Sequence, residues 1–142
     1  MSTVQQLLAM KGRHVHSIGP QAVVYDAVAQ MATHGVGALL VMDEEQILGV
    51  VSERDYARKI VLRGRSSHAT EVREIMSSPV ITGRPSLSIE EAMAIMSQRR
   101  IRHLPIVDEG RLCGLVSVGD LVKAIIADQQ FVIAQLEQYI HR

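Results

Sequence analysis

Tryptophan is absent from this 142-residue chain, and one phenylalanine with three tyrosines holds the aromatic share to 3%. The interior therefore has to be aliphatic, built from valine, isoleucine, leucine, alanine and seven methionines. A single cysteine, Cys113, excludes an intramolecular disulfide and a cysteine-built zinc cluster. Neither sign of charge is in excess, with 15 basic residues against 15 acidic ones. That balance argues against a dedicated nucleic-acid binder, which normally carries a basic excess or stripe. No long hydrophobic run is present either. The longest uncharged apolar stretch, residues 35–42, falls far short of the roughly 20 residues that cross a bilayer. No apolar run follows positive residues at the N-terminus, so no signal peptide is expected, and the reading is a cytoplasmic protein with no membrane attachment. A chain of this length suits one domain, or two small halves sharing a core, and should bury roughly two thirds of its unfolded surface.

What the sequence does contain is a duplication. Pro20 matches Pro85, Ala27 matches Ala92, Met31 matches Met96 and Asp43 matches Asp108. Gly49, Ser52 and Asp55 match Gly114, Ser117 and Asp120, and every pair is separated by the same 65 residues. Conservative pairs such as Val24 with Ile89 and Ile47 with Leu112 fill the spaces. A constant offset over about 45 positions marks an internal repeat.

Each copy predicts the same elements. An extended lead-in (residues 15–18 and 80–82) runs towards a proline. A helix follows, with apolar residues at Val24, Ala27, Val28 and Met31, or Ile89, Ala92, Met93 and Met96, the spacing of one helical face. Ser88 and Glu91 form a capping box in the second copy, whereas Val23 leaves the first without a hydroxyl cap. Two short apolar strands come next (residues 38–42 and 47–51, or 103–107 and 112–116), joined by an Asp-Glu turn. A last helix begins beside Asp55 or Asp120. The unit is β-α-β-β-α, about 50 residues, too small to stand alone comfortably. The fold class is thus α/β (α+β), two tandem repeats packed as one pseudo-two-fold module.

Boundaries fall at residues 13–66 for the first repeat, 67–78 for a linker, 79–128 for the second repeat and 129–142 for a helical extension. The stretch 63–74 is polar and contains Gly64, as a connection should. Residues 3–10 read as a short helix ended by Gly12. The last helix continues through Ile125, Ile126, Val132, Ile133, Leu136 and Ile140. That stripe fits either packing on the chain's own N-terminal helix or a dimer contact.

Two such units, each with Gly-x-x-Ser-x-x-Asp at the second strand-to-helix junction (residues 49–55 and 114–120), resemble a CBS-domain pair of the stand-alone two-CBS type, also called a Bateman module. The resemblance covers about residues 13–127. It implies a regulatory module that binds an adenosine-containing ligand, commonly as a homodimer: AMP foremost, with ADP, ATP, NAD or S-adenosylmethionine as alternatives, and no catalytic cofactor. The residue chemistry is compatible. A serine and an aspartate at a helix start lie beside unpaired amides and the positive end of the helix dipole, which favour an anion. A carboxylate accepts both hydroxyls of a ribose, at about 1.5–3 kcal/mol per charge-assisted bond. Ser52 and Ser117 are thus candidates for phosphate, and Asp55 and Asp120 for ribose. The same spacing is also an ordinary capping box, worth about 1 kcal/mol with no ligand at all.

The copies differ. The family resemblance makes Arg102 and His103 candidates for phosphate contact, and Ile101 and Pro105 candidates for packing near the base. It places Val80 and Thr82, and in the other copy Val15 and His16, towards the adenine. The first repeat has small residues where the second has this basic stretch, which implies a roomier cleft. Its cations follow the motif instead, at Arg54, Arg58, Lys59, Arg63 and Arg65, where they suit either a ligand or a solvated helix face. Different ligand preferences at the two sites are expected. His14 and His16 alternate like a metal pair but have no acidic or cysteine partner at ligand spacing. Cys113, inside an apolar strand, reads as an inert core thiol.

No nucleophile elbow, zinc-protease helix or phosphate loop is present, so a non-enzyme is expected. The preferred reading is an energy- or redox-state sensor that signals to a separate effector protein. The alternative is a ligand-independent dimeric scaffold with vestigial clefts. Nucleic-acid binding through residues 54–65 is disfavoured by the missing aromatic stacking residues.

Overall fold

The computed structural model describes residues 3–140. In chain order its elements are α1 (Val4–Lys11), β1 (Ser17–Ile18), α2 (Val24–His34), β2 (Ala38–Asp43), β3 (Gln46–Ser52) and α3 (Glu53–Tyr56). After these come α4 (Ile89–Arg99), β4 (His103–Asp108), β5 (Arg111–Ser117) and α5 (Val118–Ile140). The chain gathers into two compact units, each holding one repeat. One is continuous, Val15–Ile81, and the other joins the residues up to His14 to those from Thr82 onward.

In the continuous unit β1 pairs in parallel with β2, and β2 pairs antiparallel with β3. The apolar positions foreseen on α2 face inward: Val24, Ala27 and Met31 are buried against Leu39, Val41 and Val51 of the sheet. The core is aliphatic, as the missing aromatics require. Each such side chain contributes about 1.5–3 kcal/mol when fully withdrawn from water. α3 is a single turn that widens into a π-helical turn over Ala57–Val61.

The segment expected as a polar linker is a structural part of this unit. Val72 and Ile75 lie in its core, and Ser77 bridges Val50 on β3 in both directions, at 2.8 and 3.1 Å. The physical reason lies at the start of α2. Val23 gives that helix no side-chain cap, yet its first amides need acceptors. The segment supplies them: Val24 N–H donates to the Thr70 carbonyl at 2.8 Å and Tyr25 N–H to that of Ser67 at 3.0 Å.

The second unit is built on β4 paired antiparallel with β5. Its expected lead-in strand shrinks to one parallel bridge between Gly83 and Ile106, and Val80 belongs to the other unit. Ser88 and Glu91 close the foreseen capping box on α4. Thr3 and Gln6 form another on α1, whose Val4 amide donates to Leu87. α1 lays Leu8 against β5, where a β-carbon on Gly114 would stand 2.7 Å from Leu8 Cδ2. Cys113 is half-buried rather than a core thiol, because Gly114 and Val116 take the inward positions of β5. α5 is anchored by buried Leu121, but residues 129–140 are exposed throughout. Packing of their apolar stripe on the N-terminal helix is not realised.

Candidate functional site

Both motif serines and aspartates stand where a strand turns into a helix, and each pair caps reciprocally. Ser52 N–H donates to Asp55 Oδ2 at 3.0 Å, and Asp55 N–H donates to Ser52 Oγ at 3.2 Å. In the second repeat the same two bonds measure 2.8 and 3.1 Å, between Ser117 and Asp120. The spacing therefore serves as a capping box in both copies, with aspartate in the place more often held by glutamate. The motif glycine has a separate job. A β-carbon at Gly49 would meet Met76 Sδ at 2.8 Å and the Ser77 carbonyl at 2.9 Å, as one at Gly114 would meet Leu8. Glycine at that position admits the segment that covers the sheet.

Around these caps the two carboxylates differ. Asp55 is 8% exposed, and both its oxygens are engaged. Oδ2 takes the Ser52 amide and hydroxyl, while Oδ1 takes Lys59 Nζ at 3.1 Å and Ser77 Oγ at 3.4 Å. Asp120 is more open, with 21% of its side chain exposed against 11% for Asp55. Its bonds converge on Oδ2, which accepts from Ser117 N–H and, at 2.6 Å, from Lys11 Nζ. Burial pushes the Asp120 carboxyl up, but hydrogen bonds from Lys11 and Ser117 outweigh it and hold the group below its ordinary value.

Two lysines complete the site: Lys59, which the sequence offers only as part of the basic cluster, and Lys11, which sequence reasoning missed. Each ties a motif aspartate to a backbone carbonyl: Lys59 to Ile75 at 2.8 Å and Lys11 to Leu115 at 2.6 Å. Lys59 follows Asp55 by four residues in the helix-pair spacing, a signal the sequence carries. Lys11 is 109 residues from Asp120 and has no local signature.

The other candidates are dispersed. Pro105 is buried in β4, His103 and Ile101 are half-buried, and Arg102 and Thr82 are exposed. Burial, reinforced by the positive Lys11, holds the His103 imidazole below its ordinary pKa. Val15 and His16 are half-buried, with His16 stacked on His34 at 3.9 Å. Arg54 and Arg58 are exposed. Within the basic cluster Lys59 is paired to Asp55 and Arg65 to Glu74. The room expected beside Gly37 is limited by Glu53, whose Oε1 would stand 3.3 Å from a β-carbon there. No helix among the described residues is long and apolar enough to cross a membrane.

Known proteins share this arrangement. The CBS domain family model matches residues 9–62 and 72–127. A solved structure of a protein with CBS domains from Burkholderia ambifaria MC40-6, assigned to signal transduction, aligns with a TM-score of 0.86 at 52% identity. That alignment covers 90% of this chain and 96% of the other. The mitochondrial CBS domain-containing protein CBSX3 of Arabidopsis thaliana is 40% identical over 122 residues, 82% of this chain and 59% of the plant protein. This chain thus spans less than two thirds of that relative. The CBS domain-containing protein YhcV of Bacillus subtilis (strain 168) is 36% identical over 121 residues, covering 85% of this chain and 84% of its own. CBS domains commonly bind adenosine ligands, and stand-alone members are typically regulatory or signalling modules rather than catalysts. With both repeats matched over most of its length, this chain belongs to the CBS-domain family.

Proposed function

We propose that this protein is a regulatory module that binds an adenosine nucleotide, AMP foremost and NAD as the longer candidate, and passes the signal to a separate protein as a homodimer. The observation that carries the reading is the contrast between the two carboxylates. Asp120 keeps its bonds on one oxygen and is the more exposed, so Oδ1 is left to accept ribose hydroxyls. The Ser117 hydroxyl is beside it for the phosphate, in the positive field of a 23-residue helix. Arg102 supplies a cation, and His103, held neutral at pH 7, supplies a hydrogen-bond donor or acceptor. Ile101, Pro105 and Thr82 complete the candidate set. The first repeat's set, Ser52, Asp55, Val15, His16, Arg54 and Arg58, takes a ligand only after Lys59 leaves Asp55.

Calorimetric titration with AMP, ADP, ATP, NAD, NADH and S-adenosylmethionine tests this. The expected result is one site for at least one ligand, lost in Asp120→Ala and retained in Asp55→Ala. Ligand at 100 times its dissociation constant should add about 2.7 kcal/mol of stability. Heat from none of the six, or equal affinity at two sites, overturns the reading. One observation favours the ligand-independent scaffold: capping and a lysine already give each motif aspartate its partners.

A further inference from the structure

α5 runs 23 residues, about 34 Å at the helical rise, and only its start is buried. Beyond that, one arc of the helix is apolar. Val122, Ile126, Val132, Ile133, Leu136, Tyr139 and Ile140 are 41–74% exposed. Together these side chains present on the order of 700 Å² per chain, close to the roughly 800 Å² that each partner contributes to a standard-size interface. A free helical end of this length is marginal in water unless its apolar face is covered.

The spacing specifies what covers it. Val122, Ile126, Gln129, Ile133, Leu136 and Ile140 follow one another at alternating intervals of four and three, the 3.5-residue period of a coiled-coil seam. Isoleucine falls at every a position (126, 133 and 140), and Val122, Gln129 and Leu136 fall at d. β-branched a with leucine at d favours two strands. Gln129 selects the direction. In a parallel pair each d residue meets its own copy, so two Gln129 amides face and can hydrogen-bond. In an antiparallel pair a faces d, and each amide would be buried against an isoleucine without a partner. The flanking positions add no repulsion to the parallel arrangement, because Gln130 and Glu137 at e lie across from Ile125 and Val132 at g.

We infer that the exposed part of α5 forms a parallel two-stranded coiled coil with a second copy of this chain, with Gln129 facing Gln129. This deepens the homodimer part of the reading above and does not depend on nucleotide binding.

Sedimentation velocity and disulfide trapping of the full chain test it. In a Cys113→Ser background, Leu136→Cys should oxidise to a covalent dimer, and Gln135→Cys, on the outer side of the helix, should not. Ile133→Glu with Leu136→Glu, on the native background, should weaken the dimer by about 100-fold or more. Both are surface positions, and an unchanged melting temperature of the glutamate variant at a concentration where the parent is monomeric would show that the units still fold. A dimer that survives both glutamates, or one that Leu136→Cys does not trap, overturns the seam while leaving pairing through another face. A parent that stays monomeric at tens of micromolar overturns the seam and the homodimer together. A trimer or tetramer dispersed by the glutamates overturns the two-stranded assignment.

Discussion

Lys11 Nζ lies 2.6 Å from Asp120 Oδ2 and 2.6 Å from the Leu115 carbonyl. The end of α1 is thereby tied both to β5 and to the cap of α5. Leu8 secures the same helix three residues earlier, where Gly114 leaves room for it. α1 is thus held within the second unit by buried Leu8, by charged Lys11 and, at its start, by backbone bonds from Val4 to Leu87 and from Gln5 to Pro85.

Replacing the charged contact should cost little. Lys11→Met is expected to lower stability by about 0.5–1 kcal/mol, because the lysine is partly exposed and screened by water. The Asp120 carboxyl should then titrate closer to its ordinary value. Chemical denaturation and carboxyl-carbon NMR titration read the two effects.

Acid should destabilise the second unit in two steps. The folded His103 titrates below its ordinary 6.5, so the stability it contributes is present above that value and declines as pH falls through the lowered one. Asp120 is also depressed, from 3.8, and its contribution is lost only below that. Denaturation midpoints measured from pH 7.5 downward should fall in an upper limb beginning near pH 6.5, and His103→Asn should flatten that limb alone.

The two motif glycines should differ in tolerance. A β-carbon at Gly49 meets the backbone carbonyl of Ser77 at 2.9 Å, whereas at Gly114 the obstacle is the tip of the Leu8 side chain. Gly49→Ala is expected to cost about 2–3 kcal/mol and Gly114→Ala about 1 kcal/mol. Equal losses in denaturant titrations would contradict this difference.

Asp55→Asn should be the more damaging of the two aspartate replacements. It removes the acceptor on which Lys59, Ser52 and Ser77 converge in a nearly closed site. The expected loss is about 2–3 kcal/mol for Asp55→Asn and about 1 kcal/mol for Asp120→Asn. Thermal and denaturant unfolding of both variants provide the check.

The helices and hairpins were legible because their signals are local. Val24, Ala27 and Met31 report one face of α2, and Ser88 with Glu91 announces the start of α4, within a single turn each. The capping geometry of Ser52 with Asp55 follows from spacing alone. What stayed hidden depends on distance along the chain. No periodicity connects Lys11 to Asp120, and the polar character of residues 63–74 masked Val72, which is buried to completion. The shortening of β1's counterpart to one bridge at Gly83 also has no compositional trace. The family pattern pointed to the strand-to-helix junctions at Ser52 and Ser117, but the environment that separates Asp55 from Asp120 comes from segments outside the motif.

Met76 and Ser77 stand 65 residues after Lys11 and Gly12, so the stretches closing over Gly49 and Gly114 are the matching leaders of the two repeats. They are exchanged: the leader of the second repeat covers the first sheet, and the leader of the first covers the second. Severing the chain midway would therefore strip each half of its lid, and a polypeptide with only one repeat would have to trade leaders with a sister molecule to complete itself.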